Sequence, residues 1–168
     1  DLGPDPMTQF SQNVMGNRKI MKIRQAKNTD LELLSELFDG YRVFSREDSD
    51  VDTAREFLTE RLSNRDSEIF VCETIDNKLV GFVQLFPLFS STRMKKLWLL
   101  NDLFVNPEFR GKGISVKLIE RAKKLVTDSS ACAMFLETEK SNIIGNNLYP
   151  KTGFEQNEGS NFYEWYNE

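Results

Sequence analysis

The 168-residue chain contains no histidine and only two cysteines, Cys72 and Cys132. Without histidine, His-based catalytic triads and zinc sites are excluded, and any acid–base chemistry must use carboxylate, tyrosine, lysine, cysteine or water. Each cysteine sits in an apolar, strand-like run without metal-ligand spacing, so two buried free thiols in a reduced cytoplasmic setting are expected, and no metal site. No apolar run is long enough to span a membrane, and the polar, acidic N-terminus lacks the apolar core of a secretory signal. A formal net charge of −4 counts against a nucleic-acid partner and favours cationic ones. With 39% hydrophobic and 29% charged residues the composition is globular, and the length suits one domain with a substantial core. Residues 1–20 are polar and aperiodic, and are expected to be a flexible leader or expression remnant before a domain at 21–168.

The stretch around which the rest is arranged is Leu97–Val126. Leu97 to Val105 is nearly continuous in apolar residues, as a strand buried on both faces should be, and Pro107 ends it. Arg110-Gly111-Lys112-Gly113-Ile114-Ser115 follows, then a helix with Leu118, Ile119, Ala122, Leu125 and Val126 on one face. Two glycines at a strand-to-helix turn expose backbone N–H groups at the positive end of a helix, which suits a phosphate. Arg110 and Lys112 add full charges there. The bland alternative is a tight connection that needed glycine. Spacing excludes a P-loop, because Asn106 and Gly113 stand where glycine and Ser/Thr are required. It also excludes a dinucleotide fingerprint, because Val116 replaces the third glycine.

Along the rest of the chain, Met21–Ala26 alternates like a first strand. Thr29-Asp30-Leu31-Glu32 is a capping-box pattern, predicting a helix with Leu33, Leu34, Leu37 and Phe38 inward that stops near Gly40. A second helix is expected at Val51–Leu62, and between the two lies Tyr41–Asp50, aromatic at one end and acidic at the other. Strands are expected at Glu68–Ile75 and Leu79–Phe86 around an Asp76-Asn77-Lys78 turn, with Pro87–Lys96 as a longer connection. Ala131–Glu137 reads as a strand, Asn142–Lys151 as a short helix, and Asn161–Tyr166 as a final aromatic strand that could pair across a dimer. A helical crossover from the central strand to the next implies a right-handed parallel pair, while the hairpins imply antiparallel ones. The expected fold class is α/β (or α+β): a mixed, mostly antiparallel sheet with a parallel central pair and helices on both faces.

Arg110-x-x-Gly113-x-Ser115 after such a strand resembles the acetyl-CoA signature of the GNAT superfamily of N-acetyltransferases, with Ser115 departing from the usual Gly or Ala. Asn142-x-x-Gly145-x-x-Leu148-Tyr149-x-x-x-Gly153-Phe154 resembles the second hallmark of that superfamily. Both occur in the right order, so the resemblance covers about Met21 to Trp165. Within the superfamily, Trp98–Val105 is most similar to spermidine/spermine- and small-amine-acetylating members.

The resemblance implies a GNAT fold with acetyl-CoA as cofactor and a set of contacts. Leu103, Phe104 and Val105 would offer backbone to the pantetheine amides. Residues Arg110, Gly111, Lys112, Gly113, Ile114 and Ser115 would cradle the pyrophosphate. Asn142 would bond the pantetheine arm, and Tyr149 would sit beside the thioester sulfur. The chemistry itself asks for three tasks. A free alkylamine has a pKa of about 10, so the site must remove a proton, stabilise an oxyanion and reprotonate the departing thiolate. Tyr149 suits the last task. Asp102, a carboxylate inside an apolar strand, is the first candidate base, and Glu137 is the second. Asp102 could equally be bonding neighbouring backbone at a bulge.

The expected function is therefore acetyl transfer to a primary amine of a small molecule, such as a polyamine or amino acid, by direct attack in a ternary complex. Acidic residues at Asp102, Glu137 and Glu47–Asp50 suit a cationic acceptor. The alternatives are a protein-lysine or N-terminal acetyltransferase and a non-catalytic acyl-CoA-binding regulatory module. The expected partners are a small-molecule amine and a second copy of the chain in a homodimer, with no nucleic acid and no membrane.

Overall fold

Alternation at period two puts Ile69 and Val71 on one face of a strand and Phe70 and Cys72 on the other, and all four are buried. That strand lies inside a layered molecule with helices on both sides. The computed structural model describes residues 21–167; the expected leader at 1–20 lies outside them. In chain order the elements are β1 (Lys22–Gln25), α1 (Leu31–Phe44), α2 (Val51–Asn64), β2 (Glu68–Glu73), β3 (Leu79–Ser90), β4 (Lys95–Val105), α3 (Ile114–Asp128), β5 (Ala133–Phe135) and α4 (Ile143–Lys151). The five-stranded sheet runs β1-β2-β3-β4-β5. Its pairs are antiparallel except β4 with β5, which α3 joins as a parallel crossover. The mixed sheet and its one parallel pair are as expected.

One core lies between the sheet and α3, where Ile114, Leu118, Ile119 and Ala122 meet Phe70, Val83, Leu85, Trp98 and Leu100. The other lies under α1 and α2, where Leu34, Phe38, Ala54 and Leu58 meet Ile69, Val71, Phe82 and Phe104. Each fully buried large side chain contributes about 1.5–3 kcal/mol by leaving water.

Several expectations are corrected. Helix α1 runs past Gly40 to Phe44, because Phe38 and Tyr41 continue its apolar face onto Phe82 and Phe104, outweighing the roughly 1 kcal/mol cost of an interior glycine. On the same helix Leu33 is exposed rather than inward. Pro87 is not in a loop: β3 continues to Ser90, opposite β4, and the connection shrinks to a turn at 91–94. Pro87 is tolerated because β2 pairs only as far as Leu85, so its missing donor falls on an unpaired edge. The strand expected at Ala131–Glu137 pairs only over Ala133–Phe135. Asn161–Tyr166 forms no strand; Phe162, Tyr163, Trp165 and Tyr166 are all exposed. Cys72 is buried and its thiol pushed up by burial, whereas Cys132 is only half-buried.

The Thr29–Glu32 capping box does not form: the residue before α1 is Asp30, which makes no side-chain cap, and Glu32 pairs with Arg55. The Asp30 carboxylate instead closes the turn before α1 and ties it to β1. Arg24 donates to Asp30 at 2.7 and 2.9 Å and to Glu73 at 2.7 and 2.9 Å, forking between the two carboxylates. Asp30 also accepts from the Lys27 amide at 2.7 Å. Arg24, hydrogen-bonded to both, holds Asp30 and Glu73 below the usual carboxylate range. Depressed carboxylate values stabilise the fold above their unfolded pKa, and the benefit is lost as pH falls through the folded values. Arg24→Met should therefore cost roughly 3 kcal/mol near neutrality by leaving two facing carboxylates without a positive charge between them. In thermal melts, the gap between wild type and variant should be wide at pH 7 and narrower near pH 2, because the depressed carboxylates give up their benefit only below the usual carboxylate range. An equal gap at both values would refute the coupling.

Candidate active site

Strands β4 and β5 stay together for only three residue pairs, Leu97–Leu99 against Ala133–Phe135. From Leu100 onward β4 has lost its neighbour on that side. A groove of about 350 Å³ opens there, between β4, the turn after it and α4. It is lined by Leu103, Phe104, Val105, Arg110, Gly111, Gly113, Ile114, Ser115, Asn142 and Tyr149, which the sequence had singled out. Phe44, Phe109, Ile144, Gly145 and Leu148 complete the wall. Lys112, Asp102 and Glu137 do not line it.

The turn that enters α3 carries Gly111 at φ 73° and Gly113 at φ 74°. A Cβ added at either would meet nothing within 4 Å, so backbone conformation and not space demands glycine. Gly113 is the residue before the helix and contributes no side-chain cap. The first bond across it is Lys117 N–H to the Gly113 carbonyl at 3.1 Å. Among the described residues, the amides of Gly111 through Val116 donate to no protein acceptor. A run of unpaired donors at a helix N-terminus is an anion receptor. Arg110 is anchored beside it: its Nε donates to the Val105 carbonyl at 3.0 Å, and its guanidinium lies 4.9 Å from the Phe44 ring and 5.7 Å from that of Phe104. Lys112 instead turns back, donating to the Glu108 carbonyl over the Phe109 ring.

Across the groove, Asn142 precedes α4. Its Oδ1 accepts from the Gly145 amide at 3.0 Å, and its Nδ2 donates to the Thr138 hydroxyl at 3.0 Å. That makes Asn142 a helix cap with both ends of its amide engaged. Gly145 permits this packing: a Cβ there would lie 2.6 Å from Asn142 Nδ2 and 3.2 Å from the Tyr149 ring. Tyr149 is half-buried, edge-on to Phe154 at 5.8 Å. Burial pushes its phenol up, so it is protonated at neutral pH and available as a donor.

Asp102 lies on the other face of β4. The register slips between Gln84 and Leu85, leaving Asn101 as an extra residue on β4. Trp98 and Leu100 face α3, and beyond the bulge it is Leu103 and Val105 that do so. Asp102 and Phe104 therefore face α1. Asp102 is only 6% exposed, and burial raises its pKa against the opposing influence of the Asn101 amide, whose Nδ2 donates to Oδ1 at 3.0 Å, and of the neighbouring Tyr41 phenol. Tyr41 is itself pushed far up by burial and by the Asp102 charge. Glu137 is exposed, two residues beyond the end of β5.

Reading the sequence missed Phe44, Phe109 and Tyr41 as site residues. The available signal was the i, i+3 spacing of Phe38, Tyr41 and Phe44, which continues the helix past Gly40 and carries its aromatic face to the groove.

The chain matches the model of the acetyltransferase (GNAT) family over residues 31–154. It is 41% identical over 139 residues to the uncharacterized N-acetyltransferase YhfO of Bacillus subtilis (strain 168), covering 83% of this chain and 93% of that protein. The crystal structure of a probable acetyltransferase superposes with a TM-score of 0.84 at 32% identity, over 88% of this chain and 98% of the other. The aminoglycoside N-acetyltransferase AAC(6')-Iy, solved in complex with CoA, superposes with a TM-score of 0.75 at 23% identity, over 90% and 98%.

The crowding at Gly145 makes a direct prediction. Gly145→Ala should force the Asn142 cap and the Tyr149 ring apart and lower the melting temperature by several degrees, corresponding to about 1–3 kcal/mol. Gly159→Ala, whose Cβ would meet only Asn157 at 3.5 Å, should leave the melt unchanged. Equal melts for the two variants would mean the α4 wall is not tightly packed.

Proposed function

The chain belongs to the GNAT family of acetyltransferases, and we propose that it moves an acetyl group from acetyl-CoA to a primary amine of a small molecule, a polyamine or amino acid being the leading candidates. It is an acetyl-CoA-dependent acetyltransferase. The observation that carries the finer reading is the meeting, around one groove, of an unpartnered strand edge, a run of unpaired amides and a protonated tyrosine.

In this reading the amides of Gly111 to Ser115, with Arg110, hold the pyrophosphate. The free edge of β4 at Leu103–Val105 receives the pantetheine arm as an added strand would be received. Asn142 shapes that wall, holding α4 in place as its cap. Bound acetyl-CoA supplies an activated acetyl thioester. Asp102 accepts the proton of the incoming ammonium on the α1 side of β4, a task suited to a carboxylate whose pKa burial has raised. Tyr149 Oη holds a proton on the groove side, ready for the departing sulfur. Glu137, exposed beyond β5, is the second candidate base. Lys112 contributes charge near the phosphates rather than a contact along the groove.

A small cationic acceptor is favoured by the enclosure of Asp102 beneath α1, on the face of the sheet where the Tyr41, Phe82 and Phe104 rings pack on one another. Among proteins of this fold, AAC(6')-Iy is named for an aminoglycoside acceptor. The exposed aromatics at Phe162, Tyr163, Trp165 and Tyr166 favour a pair of copies joined through that segment. No helix among the described residues is long and apolar enough to cross a membrane, and the two free thiols suit the reducing cytoplasm.

Two measurements test this. Tyr149→Phe should reduce kcat by about a hundredfold or more while leaving CoA affinity within about twofold. Unchanged turnover would remove Tyr149 from the chemistry. In a screen of polyamines, lysine analogues, aminoglycosides and N-terminal peptides, the best acceptor should be a small cation. A neutral or anionic best acceptor, or a peptide, would overturn the acceptor assignment.

A further inference from the structure

Asp102 is a strand carboxylate turned toward α1, and the groups beside it come from three elements. From its own strand comes the amide of Asn101, bonded to Oδ1 at 3.0 Å. From β3 comes Gln84, paired with Asp102 in register, but its Nε2 is already given to Ser67 at 3.0 Å. From α1 comes Tyr41. Its ring is fixed from two sides, edge-on to Phe82 at 5.9 Å and 84° and against Phe104 at 6.1 Å. Phe104 is the next residue after Asp102 on the same face of β4. A ring packed on Phe104 and Phe82 therefore carries its hydroxyl along that face toward Asp102. No lysine or arginine is among the groups that shift Asp102, and the phenol of Tyr149 acts on Tyr41 rather than on Asp102.

We propose that Tyr41 is a positioning residue for Asp102: its hydroxyl, brought in by α1 and locked by the Phe82 and Phe104 rings, donates to the carboxylate and aims it at the acceptor amine. The inference rests on the reading of Asp102 as the base, and it goes beyond that reading by assigning a second residue from a different element. With Asn101 it gives the carboxylate a donor from each side. The acceptor's ammonium would then meet an ionised, oriented carboxylate instead of a buried acid that has taken up a proton. Tyr41 itself is not a catalytic residue here. Its burial and the neighbouring negative charge keep it protonated, so it donates throughout the working pH range.

The sign follows. A donor to the carboxylate favours its charged form and lowers its pKa, so removing the phenol oxygen must raise it. The test is the carboxyl resonance of Asp102 in the full chain labelled with 13Cγ aspartate, identified by its absence in Asp102→Asn and followed through a pH titration. Tyr41→Phe keeps the ring and its packing, and should move the Asp102 midpoint upward by about one pH unit, a tenfold change in proton affinity. CoA affinity should stay within about twofold, because Tyr41 does not line the groove. An Asp102 midpoint that does not move in Tyr41→Phe overturns the proposal. The underlying reading is tested separately: if Asp102→Asn keeps its turnover on the best amine of the screen, Asp102 is not the base, whatever Tyr41 does to its titration.

Discussion

A strand that loses its neighbour partway along leaves main-chain donors and acceptors that must be satisfied by something else. In this molecule that happens to β4, which pairs with β5 for three residues and then runs on to Val105 with β3 on one side and no strand on the other. The chain itself supplies one substitute, the Arg110 side chain on the Val105 carbonyl. The remaining edge is left beside a cavity whose far wall is α4. The same geometry ends in a helix whose first amides are equally without partners. One departure from ideal pairing thus sets a free strand edge beside a helix terminus, the two features that the proposed acetyl-CoA site would use.

The bulge at Asn101 decides which chemistry each face of β4 receives. A strand's side chains alternate, so one extra residue transfers everything beyond it to the opposite face. Without it, Asp102 would share the α3 face with Trp98 and Leu100, a carboxylate buried among aliphatic side chains. With it, Leu103 and Val105 fill that face, and Asp102 is carried to the α1 side among aromatic rings with hydroxyl and amide donors. The groove beside β4 and the enclosed carboxylate are thus linked by a few residues of one strand. Phe44 and Phe104 bridge the two regions, because both line the groove and both pack against the Arg110 guanidinium.

Much of this was legible in the residues. The apolar run of β4, the two glycines before α3 and the Asn142–Phe154 spacing located the groove, since each reflects a local requirement: burial, positive φ, or a cap with a small residue behind it. What was not legible depended on contacts distant in sequence. Gly40 looked like a helix end because its cost is local, whereas the aromatic packing that carries α1 to Phe44 is supplied by β3 and β4. Pro87 looked like a loop because the early end of β2 cannot be read from β3 alone. The bulge was hidden in a continuous apolar stretch, where a shift of one residue leaves the hydrophobic pattern almost unchanged. The side of β4 to which Asp102 turns, and hence its relation to Tyr41, therefore emerged only with the sheet register.

The central claim is that the unpaired amides of the turn before α3 receive the phosphates of CoA. The most direct measurement is a titration of 15N-labelled protein with CoA, following the backbone amide resonances of Gly111 through Val116. The account predicts that Gly111, Gly113 and Ile114 show the largest shifts, moving downfield as they become hydrogen-bond donors to phosphate, and that dephosphorylated pantetheine leaves them unmoved. Saturable CoA binding with those resonances unchanged would contradict it.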